Sequence, residues 1–384
     1  MINEKGDTVA CIRVESNIVF SHNFQSWIHR LVEKRDLDTK GLGDAVKTNK
    51  KVSSTILDSV YCMLIQSTDI SESHYLHLSD TKRGMTAHEI QIRGYRSFPK
   101  KPWETVNDIS KRTGYKKFPG VPGFYRNQYG WTIAGMEGVM IPYRNHYNQI
   151  VGFQIRVDHP RNDVEINTGK IEYLKARVVK QPGLVQAYVD GEMVWEKEMK
   201  VRQTENVISG KDTGTVKLVK GQRYFWLSSA TKEDGTGAGD PAPVHVAVPT
   251  SQLDTWESST LHTADSVWIT EGALKADIAV EHIEKVYKSE ELKDIGSTVV
   301  AIPGVNTWRI VMPVLEEMGV KHVNIAFDMD AMSNPYVEYY LKELAIELKN
   351  KGYTANLAIW NENDGVGIDD VLINRRIPQL RKLF

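Results

Sequence analysis

Cysteine is almost absent: only Cys11 and Cys62 occur in 384 residues, which excludes a disulfide framework and any paired spacing of the zinc-ribbon kind. Histidine does not fill that gap. His22, His29, His74, His77 and His88 make no ligand pattern without cysteine partners and read as ordinary surface or core residues. An excess of either charge is also missing, since 48 Lys and Arg stand against 49 Asp and Glu. A globally basic coat is therefore excluded, and any nucleic-acid surface must be a local patch. No apolar run approaches the roughly 18 residues of a membrane span. The opening MINEKGDTVA has neither the charged nor the apolar region of a signal peptide, so the expectation is a soluble cytoplasmic protein. The Gly/Pro-rich stretch GTGAGDPAPVHVAVP lacks the Lys-Ser/Thr of a P-loop, which weakens ATPase and helicase readings. No heptad or arginine-rich array points to a coiled coil.

What is present concentrates between Ser266 and Asp330. Two short apolar runs each end on a carboxylate: Val267 to Thr270 leads into Glu271, and Val323 to Phe327 leads into Asp328 and Asp330. Such runs fit strands buried on both faces, and the intervening segments carry helical periodicity. This alternation predicts a parallel sheet, where ligands gather outside the carboxyl ends of the strands. If the extended backbone continues, Asp328 and Asp330 leave one face and Met329 the other. Close carboxylates repel, a divalent cation relieves the repulsion, and oxygen donors without Cys or His favour Mg²⁺ or Mn²⁺ over Zn²⁺. An acidic cluster with such a metal suits phosphoryl chemistry.

The order TEG, helix, AIPGV turn and FDMD resembles a TOPRIM domain, the metal-binding fold shared by bacterial-type primases, topoisomerases and some nucleases. The resemblance implies that Glu271 acts as general acid or base or in metal binding, and that Asp328 and Asp330 hold metal. The third acidic element of primases is an Asp-Pro-Asp; here NDGVGIDDVL supplies Asp369, places Gly367 where the other Asp belongs, and adds Asp370. Primases often carry a Gly soon after Asp-x-Asp, where this chain has AMSNP.

Upstream, about 100 to 200 residues per domain allows two or three domains. Residues 1–70 form an N-terminal region of unclear role, expected to be helical from Phe24, Trp27, Ile28, Leu31 and Val32. Residues 71–117 read as a helical hairpin and a polar linker, with Ser71 or Ser73 and Thr86 as helix caps and Glu89 completing a capping box. The form L…RGM…I…GYRS.P resembles a hairpin of primase-like proteins of phages and mobile genetic elements. Its Arg83, Arg93 and Arg96 either contact phosphates or pair with nearby carboxylates. Residues 118–250 read as a basic α+β subdomain interrupted by a β insertion at 161–222. In it GVMIPYRNHYNQIVGFQIRVD and RYFWLSSATKEDGTGAG resemble the first part of the bacterial primase catalytic core. That resemblance assigns Arg144, Arg156, Arg223 and Lys232 to a groove for template or nucleotide. In the insertion, Asp190-Gly191 marks a hairpin, and Tyr188 and Trp195 either stack single-stranded bases or fill the core. Residues 251–384 complete the TOPRIM module and end in RRIPQLRKLF, a tail that either docks on a partner or packs as a last helix.

The fold expected is therefore an α/β TOPRIM domain with a mainly parallel sheet, an α+β basic subdomain with a β insertion, and a helical N-terminal region. The function the resemblance implies is primase-like, metal-dependent nucleotidyl transfer that makes short RNA primers on single-stranded DNA. Mg²⁺ or Mn²⁺ would sit on Glu271, Asp328, Asp330 and Asp369, and Arg156 and Lys275 would contact phosphate. Expected partners are single-stranded DNA, NTPs and a replicative helicase on a separate chain. A TOPRIM nuclease and a non-catalytic DNA-binding replication accessory remain open, the latter because no zinc module is present to read the template.

Overall fold

The computed structural model describes residues 49–239, 241–329 and 334–384, together with the backbone of strands Thr8–Cys11, Val19–Ser21 and Ser26–Arg30. The chain divides into two compact units, Met1–Gln154 with Trp226–Phe384, and Ile155–Phe225. Among the described residues no helix is long and apolar enough to cross a membrane.

The three N-terminal strands pair antiparallel in the order first, third, second. The helix expected from Phe24 onward is thus corrected over Ser26–Arg30, where Ser-Trp-Ile-His-Arg is a strand. Partner strands on both sides outweigh a short local period in a segment of strand-favouring residues. Phe24, Leu31 and Val32 lie outside the described residues.

Four helices follow: Ser54–Gln66, Glu72–Ser79, Ala87–Arg93 and Pro102–Thr113. The caps are local and specific. Ser71 accepts from the His74 N–H, while Thr86 Oγ1 accepts from the Glu89 N–H at 3.2 Å and Glu89 Oε2 accepts from the Thr86 N–H at 2.8 Å. The linker expected after residue 100 is instead the helix Pro102–Thr113. Proline suits its first turn, and Thr105, Val106 and Ile109 make one buried stripe that the polar remainder of the segment conceals. Lys51 is held by two backbone carbonyls. Its ammonium donates to the carbonyls of Ala238 and Pro241, and the Asn49 N–H donates to Gly235 O, so this segment clamps the Gly-rich stretch.

The C-terminal sheet runs in the order His245–Ala247, Thr298–Ile302, Ser266–Glu271, His322–Ile325, Thr354–Ile359, Gln379–Lys382. The four middle strands are parallel and the two edges antiparallel. Alternation within each strand fills two cores. Val267 and Ile269 face one side with Val300, Ile302, Val323 and Ile325, under Leu341, Leu344 and Leu348 of helix Pro335–Asn350. Trp268 faces the other side with Val299 and Ala301, under Ala276, Ala279, Val280 and Ile283 of helix Ala273–Val286. The tail RRIPQLRKLF does not end as a helix: Gln379–Lys382 is the edge strand, pairing with Asn356 to Ile359.

The second unit is a small β structure. Strands Asp163–Asn167, Asp212–Val219 and Thr204–Ser209 make one antiparallel sheet, and Lys175–Lys180, Leu184–Val189 and Glu192–Glu198 make another. They share a core of Val185, Ala187, Val189, Val207, Val216 and Leu218. Asp190-Gly191 is the expected tight turn, with φ of 50° and 86° as a two-residue hairpin of primed type requires. The two aromatic residues differ in their surroundings. Trp195 packs against this core, whereas Tyr188 stands on the opposite face beneath the Arg177 guanidinium, 5.2 Å from its ring centroid.

Candidate active site

The helices on the two faces of the sheet explain where a site arises. Strand Ser266–Glu271 is followed by a helix on one face, and its parallel neighbour His322–Ile325 by a helix on the other. The sheet therefore has a topological switch point between these strands, with a crevice outside their carboxyl ends. Glu271 and Asp328 stand on either side of it. Gly272, at φ 80°, turns the chain from strand into helix while its N–H donates to Ile302 O.

One turn into that helix, the Lys275 ammonium straddles Asp328, at 2.6 Å from Oδ1 and 2.5 Å from Oδ2. Burial lowers the lysine's proton affinity, but Asp328, Asp369 and Glu271 outweigh it and hold the ammonium above its ordinary pKa. Asp369 arrives from the start of the short helix Ile368–Ile373. Its Oδ1 is buried without a hydrogen-bond partner, and burial pushes the carboxyl up to about 6 against the pull of Lys275. Asp370 turns the other way, where its Oδ2 accepts from the Val366 and Gly367 N–H groups and fixes the loop. Gly367 is where the centre is tightest. A β carbon there would lie 2.5 Å from Asp369 Oδ1, 3.2 Å from Asp328 Oδ1 and 3.4 Å from Lys275 Cδ. A side chain at 367 would have to turn Asp369 away, so glycine there lets the Asp369 carboxylate approach Asp328 and Lys275.

Among the described residues no group of three or more His, Cys, Asp and Glu is drawn together tightly enough to hold a metal ion, and Asp330 lies outside them. Of the four carboxylates expected to hold metal, Asp328 and Asp369 approach one spot above Gly367, where the Lys275 ammonium binds Asp328. The donor chemistry nonetheless fits Mg²⁺ or Mn²⁺, with hard oxygens on Asp328, an unpartnered buried oxygen on Asp369 and Glu271 across the crevice.

Two of the cations assigned to a groove, Arg144 and Lys232, lie in the unit that holds this centre. Arg144 is half-buried and its guanidinium donates to Asn148 Oδ1. Lys232 is exposed on the Gly-rich loop, 5.9 Å from the Tyr125 ring centroid. Arg156, on strand Ile150–Val157, and the exposed Arg223 belong to the second unit. Arg83 pairs with Asp80, and Arg96 donates to the carbonyls of Ile65 and Tyr95.

Arg93 is fully buried and its guanidinium is engaged inside the protein. Its Nη1 donates to Asp277 Oδ1 at 2.6 Å and its Nη2 donates to Val248 O and Glu281. Tyr95 Oη donates to Asp277 Oδ2 at 2.6 Å, and His245 Nε2 lies 3.0 Å from Asp277 Oδ1. This knot ties the hairpin to the helix that carries Lys275. The sequence holds one signal for it: Asp277 falls among Ala276, Ile278, Ala279 and Val280, where an unpaired charge would be costly.

Residues 255–377 match a family model described as a domain of unknown function, DUF3854. No curated protein matches the chain. Among solved structures the chain is similar to a DnaG primase catalytic domain bound to ssDNA, at 12% identity and TM-score 0.42, covering 83% of this chain and 76% of that one. It is also similar to the E. coli primase catalytic core, at 13% identity and TM-score 0.41, over 83% and 75% of the two chains. A third is the RNA polymerase domain of Mycobacterium tuberculosis primase DnaG in complex with double-stranded DNA, at 11% identity and TM-score 0.44, over 84% and 77%.

Proposed function

We propose that this chain catalyses primase-like nucleotidyl transfer, joining ribonucleotides into short primers on single-stranded DNA with Mg²⁺ or Mn²⁺, in the replication of a phage or mobile element. The observation that carries the reading is the convergence of Asp328, Asp369 and Lys275 beside Glu271 at the switch point of a parallel sheet. Asp328 and Asp369 would hold the metal, together with Asp330 as the sequence resemblance assigns it. The metal when bound would neutralise charge on the reacting phosphate. Glu271 is assigned proton transfer, and Lys232 a phosphate of template or nucleotide. The motif order that resembles primases favours synthesis over cleavage, since the carboxylates alone serve either attack by a 3′ hydroxyl or attack by water.

The test is incubation of the purified chain with single-stranded DNA, labelled NTPs and Mn²⁺ or Mg²⁺, beside an Asp328→Asn/Asp369→Asn variant. Short oligonucleotides that fall by about a hundredfold or more in the variant are expected, of the order lost when charge stabilisation in a transition state is removed. Cut DNA without new oligonucleotides would replace the primase with a nuclease. Neither product, with a replicative helicase also supplied, would leave a binding role.

A further inference from the structure

We infer that Lys275 is a tethered counter-cation that competes with the divalent metal for Asp328, so that metal enters this centre only by displacing an ammonium. The inference rests on the metal-centre reading above and concerns what regulates that centre. The ammonium holds both oxygens of Asp328, at 2.6 and 2.5 Å, the atoms through which this carboxylate would hold a metal. Both side chains are largely shielded, with 31% of Lys275 and 20% of Asp328 exposed, so water screens the pair less than it would on a surface.

Two further observations set the ammonium apart from an ordinary ion pair. Asp369 Oδ1 points to the same spot above Gly367 as Asp328 Oδ1 and the lysine stem, yet it accepts no hydrogen bond. An ammonium carries a single charge and three donors, whereas a divalent ion takes about six oxygens. Lys275 therefore satisfies Asp328 and leaves Asp369 short, which a divalent ion would not. In addition, Lys275 is the third residue of helix Ala273–Val286, near the end where backbone N–H groups favour anions and oppose a cation. Its placement there depends on the carboxylates. A four-carbon stem lets the ammonium leave Asp328 without any movement of the helix.

The experiment is a Mn²⁺ titration of the full chain without substrate, followed by electron paramagnetic resonance, on the parent protein, Lys275→Met and Lys275→Arg. Lys275→Met is expected to tighten the Kd about tenfold or more. Lys275→Arg, which keeps a tethered cation, is expected to stay within about threefold of the parent. In EDTA Lys275→Met should melt lower than the parent, and saturating Mn²⁺ should raise its Tm more than the parent's. An unchanged or weaker Kd for Lys275→Met would overturn the inference, as would failure of both proteins to bind Mn²⁺. Should Lys275→Met not fold, Lys275→Gln carries the same expectation. Tightened binding without primer synthesis sinks the proposed function and keeps this inference; synthesis with an unshifted Kd does the reverse.

Discussion

Two charged side chains on one helix, Lys275 and Asp277, belong to clusters built on opposite terms. Around Asp277 every carboxylate lone-pair direction that matters is used: Arg93 and His245 serve one oxygen and Tyr95 the other. The Arg144 N–H donates to His245 Nδ1, so Nε2 carries the ring proton toward Asp277 and a neutral imidazole suffices. Burial would raise this carboxyl, but Arg93 and His245 outweigh burial and hold it well below the usual carboxylate range. Around Lys275 the pairing is incomplete: Asp369 is buried, short of a partner, and pushed up to about 6. A saturated cluster fixes structure and has nothing left for a ligand. An undersaturated one costs stability and keeps a place for a cation.

The contrast breaks most visibly at Asp277. Asp277→Ala would take from the buried Arg93 one of its two carboxylate partners and leave Tyr95 and His245 without their acceptor, and the expected loss is about 3–5 kcal/mol in urea unfolding. A loss within the range of an ordinary surface substitution would mean that the knot holds little together.

Stability against pH should then separate the two carboxylates by sign. Asp277 is depressed in the folded state, so its contribution is present above its unfolded value, about 3.9, and is lost as pH falls toward the folded value. Asp369 is raised, so it costs stability above pH 6 and the cost is relieved as pH falls from about 6 to about 4. In EDTA, Asp369→Asn should therefore melt a few degrees above the parent at pH 8 and together with it near pH 4. Parallel pH curves for parent and variant would remove the distinction drawn between the clusters.

Much of the sheet can be read from the chain because its strands are buried on both faces and carry short, mainly apolar runs, as in Val267 to Thr270 and Val323 to Phe327. Glu271 and Asp328 are legible for the same reason, each being the first charged residue after such a run. Lys275 is legible as a site residue but its partner is not, because contact with Asp328 depends on two strands being neighbours. Ser26–Arg30 invites a helical reading, since five residues can satisfy either period until partner strands decide. Helix Pro102–Thr113 is hidden because its apolar stripe is narrow and its surface strongly charged. The Arg93 knot joins residues some 184 positions apart, and no local pattern announces such a pairing.

A smaller effect is expected at Gly367, and it sharpens the comparison from the ligand side. Its φ is −105°, so alanine meets no backbone strain; the obstacle is the 2.5 Å approach to Asp369 Oδ1. Gly367→Ala should fold, lose on the order of 1 kcal/mol as the loop yields, and bind Mn²⁺ several-fold more weakly because Asp369 is turned from the centre. Unchanged Mn²⁺ affinity would show that Asp369 is not part of the cation's surroundings.

The smallest effect is a control on whether the two clusters are independent. Thr86→Ala removes a capping bond at the start of helix Ala87–Arg93, whose last residue is the buried Arg93. The expected loss is about 1 kcal/mol by urea unfolding, as for other helix caps. Arg93 is held by Asp277, Val248 O and Glu281 from outside its own helix, so fraying at Thr86 should not reach Lys275. Mn²⁺ affinity in Thr86→Ala should equal the parent's. A shift there would mean that the hairpin, through Arg93 and Asp277, sets the position of Lys275, and the two clusters would have to be treated as one.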